Sequence, residues 1–242
     1  MANTTKNIFV NAAKNVAIIM DGNARWAISN SLNISKGHSK GVEIVKLIVE
    51  ESVKQKLSSL TLYAFSSENW SRPKAEVEAI KRLIVLAIEE QVPDLVKQKV
   101  KLKFFGRIDD FGSKIINKIN DAEKATDLNK PSLLLNIALG YGGRQDIVDI
   151  TKNIARKILT KDIKIDDIDE NMISRLSSVP VDDIDLLIRT GGDNRISNFL
   201  LYQIAYTEIC FVNKYWPDFT QRDFLNCIEN FKKVNRRFGK RI

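Results

Sequence analysis

An α/β fold, with a mostly parallel six-stranded sheet wrapped by helices, is what this sequence predicts. Three observations carry that expectation. Short apolar runs alternate with longer stretches of helical period, the pattern of strand–crossover–strand units. Hydrophobic residues make up 44% of the 242, enough for a sizeable core. Eleven glycines and five prolines are too few for a linker-dominated or low-complexity chain, and no internal repeat is present. The expectation is one domain over residues 1–242, with 1–14 a flexible arm.

Taken in order, Val16–Met20 is a short apolar run and reads as a buried strand. Gly41–Leu57 carries Val45, Ile48, Val49 and Val53 at helical spacing. Ser59–Ser66 reads as a second strand. Ala75–Lys97 is helical by Val77, Ile80, Leu83, Ile84, Ala87 and Ile88, and Pro93 should kink or break it. Val100–Phe105 is a strand, Asp109–Ala125 a helix, Leu133–Leu139 a strand and Gly143–Leu159 a helix. Asp185–Arg189 and Glu208–Val212 are the last two strands, and a helix from Asp218 to Phe238 closes the pattern.

Lys and Arg outnumber Asp and Glu by 38 to 30, a formal charge of +8. Such a balance suits nucleic acid, an anionic membrane face or a phosphorylated substrate. The C-terminal crowd of Lys232, Lys233, Arg236, Arg237, Lys240 and Arg241 reads first as a solvated tail. Cys210 and Cys227 lack metal-type spacing and imply a reducing compartment. The first residues lack the apolar core of a signal peptide, and no apolar run approaches the ~20 residues that span a bilayer. A cytoplasmic protein is expected, with room for peripheral contact at the inner membrane face.

In parallel sheets ligands sit beyond the carboxyl ends of the strands. The unusual residues fall there. Asp21-Gly22-Asn23-Ala24-Arg25-Trp26 follows strand one, and Ser66-Ser67-Glu68-Asn69-Trp70-Ser71-Arg72-Pro73 follows strand two. Gly140-Tyr141-Gly142-Gly143-Arg144 follows strand four, and Arg189-Thr190-Gly191-Gly192-Asp193-Asn194-Arg195-Ile196-Ser197 closes strand five. Each joins small residues to an arginine. Glycine lets backbone approach a ligand, helix starts favour phosphate and arginine presents a planar fork to its oxygens. Four such loops point to more than one phosphate group.

An Asp at a strand-to-helix junction such as Asp21 is commonly a helix cap. It also suits Mg²⁺, which one or two carboxylates hold together with substrate phosphates. Glu208 is the best second carboxylate, with an ordinary salt bridge as its plain alternative. His38, the only histidine, is either structural or a phosphate donor at a helix start. There is no Gly-x-x-x-x-Gly-Lys-Ser/Thr, no Gly-x-Gly-x-x-Gly after a strand and no Gly-x-Ser-x-Gly elbow, which leaves nucleotide, dinucleotide and serine-hydrolase chemistry unsupported. The acidic run Asp166–Glu170 reads as helix-capping and solvated.

These motifs closely resemble those of the cis-prenyltransferase family, the bacterial undecaprenyl diphosphate synthases in particular. The matching stretches are Val16-Ala-Ile-Ile-Met-Asp-Gly-Asn-x-Arg-Trp-Ala27, Gly37-His38, Leu60-Thr-Leu-Tyr-Ala-Phe-Ser-Ser-Glu-Asn-Trp-x-Arg-Pro73, Tyr141-Gly-Gly-Arg144, Ile188-Arg-Thr-Gly-Gly192, Arg195-Ile-Ser-Asn-Phe-Leu200, Gln203-Ile-Ala-Tyr206, Glu208 and Trp216-Pro-Asp-Phe219. They span nearly the whole chain in the family's order. The resemblance implies a homodimeric, Mg²⁺-dependent enzyme with a hydrophobic tunnel. It implies repeated condensation of isopentenyl diphosphate onto farnesyl diphosphate with Z double bonds, giving a lipid carrier for cell-wall sugars.

By the same resemblance Asp21 binds Mg²⁺ with help from Glu208. Gly22, Asn23, Ala24, Arg25 and His38 surround the allylic diphosphate, and Arg189, Arg195 and Ser197 hold isopentenyl diphosphate. Ser66 and Asn69 lie where proton removal and substrate positioning occur, with Trp70 and Arg72 beside them. Trp26, Ser67, Glu68 and Ile196 fall within the same substrate-binding motifs. Leu83, Ile84, Ala87 and Ile88 are tunnel candidates or ordinary core. Ile34 stands where the family usually has a diphosphate-binding arginine, Ala24 replaces a glycine and Asp193 a glutamate. A non-catalytic partner subunit would lack Asp21, Arg25, Arg189 and Arg195. A nucleic-acid-binding protein would need aromatics interleaved with a basic face.

Overall fold

The computed structural model describes residues 12–234. Six strands run in chain order as β1 (Asn15–Ile19), β2 (Ser59–Ser66), β3 (Val100–Phe105), β4 (Leu133–Tyr141), β5 (Leu186–Arg189) and β6 (Glu208–Phe211). They form one sheet in the order β3-β4-β2-β1-β5-β6, and every pairing is parallel. The helices are α1 (Asn23–Ser29), α2 (Ile34–Lys54), α3 (Lys74–Lys97), α4 (Ser113–Ala125), α5 (Gly143–Leu159), α6 (Glu170–Leu176) and α7 (Gln221–Lys233).

The sheet is buried on both faces, so its strands are apolar runs rather than alternating ones. Val16, Ile18, Leu60, Leu62 and Ile188 join Ile44, Ile48, Phe224 and Ile228 in the larger core, beneath α2, α3, α4 and α7. Ala17, Ile19 and Leu187 point the other way, against Val179, Phe199 and Leu200. A third, smaller cluster joins Ile150 and Ile154 of α5 to Met172 of α6.

Most expected elements are present with ends displaced by a few residues. Three differ more. The segment after β1 forms α1, and α2 begins at Ile34, seven residues before the expected Gly41. Pro93 does not break α3, which continues to Lys97 and closes with Gln98 N–H donating to Asp94 O. The segment before Ser113 is a 3₁₀ turn at Ile108–Phe111, not the start of α4. Asp169 caps α6 by accepting from Met172 N–H at 2.7 Å, so the acidic run does serve as a cap. The expected arm at 1–14 lies outside the described residues apart from 12–14, as does the basic tail beyond 234.

Candidate active site

The carboxyl ends of β1, β2, β4 and β5 converge on one edge. Asp21 stands two residues past Ile19, which is in register with Arg189. Its backbone is fixed on both sides. Asp21 N–H donates to Ile19 O and Thr190 Oγ1 at 3.0 Å each, while Thr190 Oγ1 and Trp216 N–H donate to Asp21 O at 2.9 Å. The helix-cap reading of Asp21 fails: Gly22 occupies the cap position of α1 at φ 106° and no side chain caps that helix. The Asp21 carboxylate is thereby left for other partners.

Those partners are arginines. Arg25 Nη2 lies 2.9 Å from Oδ1 and Arg189 Nη2 2.8 Å from Oδ2. Burial alone would raise the Asp21 carboxyl, but hydrogen bonds from Arg189 and Arg25 outweigh it and hold the group below its ordinary value. Arg189 is 3% exposed, so it needs these partners. It also donates to Ser197 Oγ at 2.7 Å and to Arg195 O. Ser197 and Asn198 have φ of 47° and 60°, a strained backbone that aims the 195–198 turn at Arg189. Gly191, at φ 93°, lets this loop close on the cluster, since a Cβ there would sit 2.8 Å from Arg25 Nη2 and 3.0 Å from Asp21 Cβ.

Asp193 completes the cluster and was not expected in it. Its Oδ2 lies 3.0 Å from Arg195, 3.3 Å from Arg25 and 3.7 Å from Arg189. Three guanidiniums face two carboxylates, a balance that favours an incoming anion. The sequence marked Asp193 only as a replaced glutamate, and its spacing from Arg189 on a loop carries no periodic signal.

On the other side, Ser66 and Asn69 form a capping box at the 3₁₀ turn Ser67–Ser71, with Ser66 N–H donating to Asn69 Oδ1 at 3.0 Å. Register shifts between β2 and β4 at Tyr63, Phe65 and Ser66 turn this strand end toward the site. Glu68 Oε1 accepts from Asn198 Nδ2 at 2.9 Å, which ties the β2 loop to the β5 loop. Arg72 pairs with Glu76 at 3.0 Å, and His38 Nε2 lies 3.9 Å from the same Glu76 oxygen. Burial, with the charge of Arg72 adding to it, pushes His38 below its ordinary value.

These groups line the mouth of a cavity of about 690 Å³ that contains Asp21, Asn23, His38, Ser66, Glu68, Asn69, Arg72, Arg189, Arg195 and Ser197. The cavity continues between α2, α3 and the sheet as an apolar tunnel. Ile80, Leu83, Ile84, Ala87, Ile88, Val92 and Leu95 of α3 line it. They recur every three or four residues over about 22 Å of helix. All four tunnel candidates from the sequence are among them.

Other expected site residues do not line the cavity. Trp70 packs 4.9 Å from both Phe65 and Phe111, inside an aromatic cluster. Trp26 donates from Nε1 to Asp218 Oδ1 at 2.7 Å, pinning α1 to the 216–218 turn. Arg25 lies behind Asp21, over the Tyr215 ring at 5.5 Å. Ala24 sits in the first turn of α1, in helical backbone open to alanine. Ser67 backs onto Gly142, and Ile196 packs against the Ala17, Ile19 and Leu187 face of the sheet.

Glu208 does not reach Asp21 within the chain. Its register partner is Leu186, three residues before Arg189, so it lies roughly 10 Å toward the opposite edge of the sheet. Position in the sequence placed it at a strand start, and a strand start in a parallel sheet is the wrong end. Asp193 is the second carboxylate beside Asp21. Among the described residues no group of three or more His, Cys, Asp or Glu side chains could hold a metal. Two carboxylates do suit a cation that shares diphosphate oxygens, the donor set Mg²⁺ favours. No helix among the described residues is long and apolar enough to cross a membrane.

A parallel α/β sheet with an arginine-rich anion site at its carboxyl edge and an apolar tunnel beneath defines a protein for amphiphilic anions. Comparison with known proteins narrows that class. Residues 19–239 match the family model described as "Putative undecaprenyl diphosphate synthase". The ditrans,polycis-undecaprenyl-diphosphate synthase ((2E,6E)-farnesyl-diphosphate specific) of Pasteurella multocida is 44% identical over 95% of each chain. An isoprenyl transferase of Prochlorococcus marinus is 43% identical, covering 93% of this chain and 83% of its own. Among solved structures, lavandulyl diphosphate synthase from Lavandula x intermedia, in complex with dimethylallyl diphosphate, matches with a TM-score of 0.92 at 32% identity, over 95% of this chain and 99% of that one. A probable undecaprenyl diphosphate synthase from Campylobacter jejuni matches with a TM-score of 0.79, also at 32% identity, over 95% of this chain and all of that one. The chain belongs to the undecaprenyl diphosphate synthase family of cis-prenyltransferases, and it is a prenyl-transferring enzyme.

Proposed function

We propose that this enzyme condenses isopentenyl diphosphate repeatedly onto farnesyl diphosphate, in the presence of Mg²⁺, to give undecaprenyl diphosphate for the cell-wall lipid carrier. The observation that carries the reading is the continuity of the cavity. One end presents Asp21, Arg189 and Arg195, and the other an apolar wall along α3. A diphosphate head and a growing prenyl tail require that combination, and each added unit gains roughly 25 cal/mol per Å² of apolar surface removed from water.

In this reading Asp21 and Asp193 are the residues that would hold Mg²⁺ together with diphosphate oxygens, and the ion supplies charge neutralisation for a departing diphosphate. His38, Asn23 and the start of α1 surround the allylic diphosphate. Arg189, Arg195 and Ser197 bind isopentenyl diphosphate, and Arg189 is already oriented by Ser197. Preorganised donors of this kind need no rearrangement as charge develops. Asn69 and Ser66 face the same space from β2, where they orient the reacting carbon so that its proton leaves toward a diphosphate oxygen, the basic group held at that mouth. Displacing the arginines from the two carboxylates is part of substrate binding.

A homodimer fits the exposed outer edge of the sheet. Among the described residues β6 pairs only with β5, and its Ile209 and Phe211 are exposed apolar residues on that strand. A cytoplasmic location with peripheral membrane contact suits an enzyme whose product is an amphiphile. Incubation with farnesyl diphosphate, labelled isopentenyl diphosphate and Mg²⁺, followed by chain-length analysis, tests the proposal. Label in a long Z-polyprenyl diphosphate supports it. Salt-sensitive RNA binding without any turnover would instead favour a nucleic-acid role for the +8 charge.

A further inference from the structure

Cys210 on β6 and Cys227 on α7 are both free thiols, and their sulfurs lie 3.3 Å apart. They come from 17 residues apart in sequence and meet where α7 crosses the sheet. Cys210 alternates with Ile209 and Phe211 along β6, so it points away from the face they expose and toward the α7 core. A disulfide requires the sulfurs to close to about 2.05 Å, a movement of roughly 1.2 Å.

The chain between the two cysteines builds the rear wall of the diphosphate site. Val212 O accepts from Gly192 N–H at 3.3 Å, and Lys214 O accepts from Gly191 N–H at 2.6 Å. Tyr215 lies under Arg25, and Trp216 N–H donates to Asp21 O. A link between residues 210 and 227 therefore closes a loop that contains every one of these contacts. We propose that Cys210 and Cys227 form a dithiol modification site, oxidised by a peroxide to an intramolecular disulfide that tightens this loop and weakens diphosphate binding.

The chemistry balances. The Cys210 sulfur attacks one peroxide oxygen, the O–O bond breaks, and Cys210 becomes a sulfenic acid as water leaves. The Cys227 sulfur then displaces the sulfenic oxygen as a second water, so two thiols lose two electrons and two protons. The close contact between the two sulfurs lets one thiol lose its proton more readily while the other holds on to its own: it lowers Cys210 and raises Cys227, which favours Cys210 as the attacking sulfur. In a reducing compartment such a pair rests as thiols and responds to oxidant. The effect on diphosphate binding rests on the function proposed above, whereas formation of the bond does not.

The test is intact mass and thiol titration of the native enzyme before and after hydrogen peroxide. The expected result is a loss of 2 Da (two hydrogens) and of both titratable thiols in a single chain. Dithiothreitol reverses it, and it is absent in Cys210→Ser and in Cys227→Ala. KM for isopentenyl diphosphate should rise about three-fold or more on oxidation of the wild type and stay unchanged in both variants. Thiols that remain titratable, or a bond found only between two chains, would overturn the site. A disulfide that forms without moving KM would overturn its link to diphosphate binding.

Discussion

The two ends of the cavity are built on opposite principles. At the carboxyl edge, a few charged side chains are held by specific bonds: Asp21 by two arginines, Arg189 by Ser197, Asn69 by the Ser66 backbone. Along α3 the wall is a largely aliphatic stripe, interrupted by Gln91, and its aliphatic members are each replaceable by another of similar size. The head depends on placement to within tenths of an ångström, and the tunnel depends on volume. Mutations should therefore split. Changes at the head alter rate and affinity, and changes along α3 alter how long a product grows.

The largest effect is expected at Asp21. Asp21→Ala should lower kcat on the order of 10³-fold, because charge stabilisation of the departing diphosphate is lost. Alanine also leaves the buried Arg189 short of a partner, at a stability cost of about 3 kcal/mol. Asp21→Asn, which keeps the shape, should be equally slow while remaining closer to wild-type stability in a urea titration. Retained activity in both variants would remove the metal and charge role.

Ile34→Arg comes next. Ile34 opens α2 one turn before His38, which lines the cavity, so both lie on the same helix face. Restoring a charged hydrogen bond worth roughly 1.5–3 kcal/mol should tighten apparent affinity for farnesyl diphosphate by about ten-fold, read from the KM for that substrate. Unchanged affinity would show that another group, such as Lys36, already does this work.

Ala87→Trp acts only at the other end. Overfilling the stripe costs about 1–3 kcal/mol, and the product distribution should shift to shorter chains while the first condensation keeps its rate. The smallest effect concerns His38. Its folded-state value lies below 6.5, so the unfolded chain takes up this proton first. Stability should fall as pH drops from 6.5 toward the depressed folded value, and His38→Gln should flatten that slope in denaturation midpoints between pH 7.5 and 5.5.

The sequence made the strands and the long helices legible because their apolar periods are long and uninterrupted. Helices α1 and α6, at seven residues each, are too short for a period to register. Pro93 misled because a helix held by a long packed stripe tolerates one missing bond near its end. The head was legible through its motifs, yet motifs do not say which side chains face the ligand. Trp26 and Trp70 belong to the same stretches as Asp21 and Asn69 but serve packing and pinning. Asp193 lies beside Asp21 and Glu208 does not, for a geometric reason: one sits on a loop folded back over Arg189, the other at the far end of its strand. Only the register of β5 and β6 reveals that.

One measurement tests the division directly. Wild type, Asp21→Asn and Ala87→Trp are given farnesyl diphosphate and labelled isopentenyl diphosphate, and both total label and product length are recorded. The account predicts that Asp21→Asn incorporates on the order of 10³-fold less label, while Ala87→Trp incorporates label at a near wild-type initial rate into shorter chains. Equal product lengths from wild type and Ala87→Trp, or undiminished label from Asp21→Asn, would contradict it.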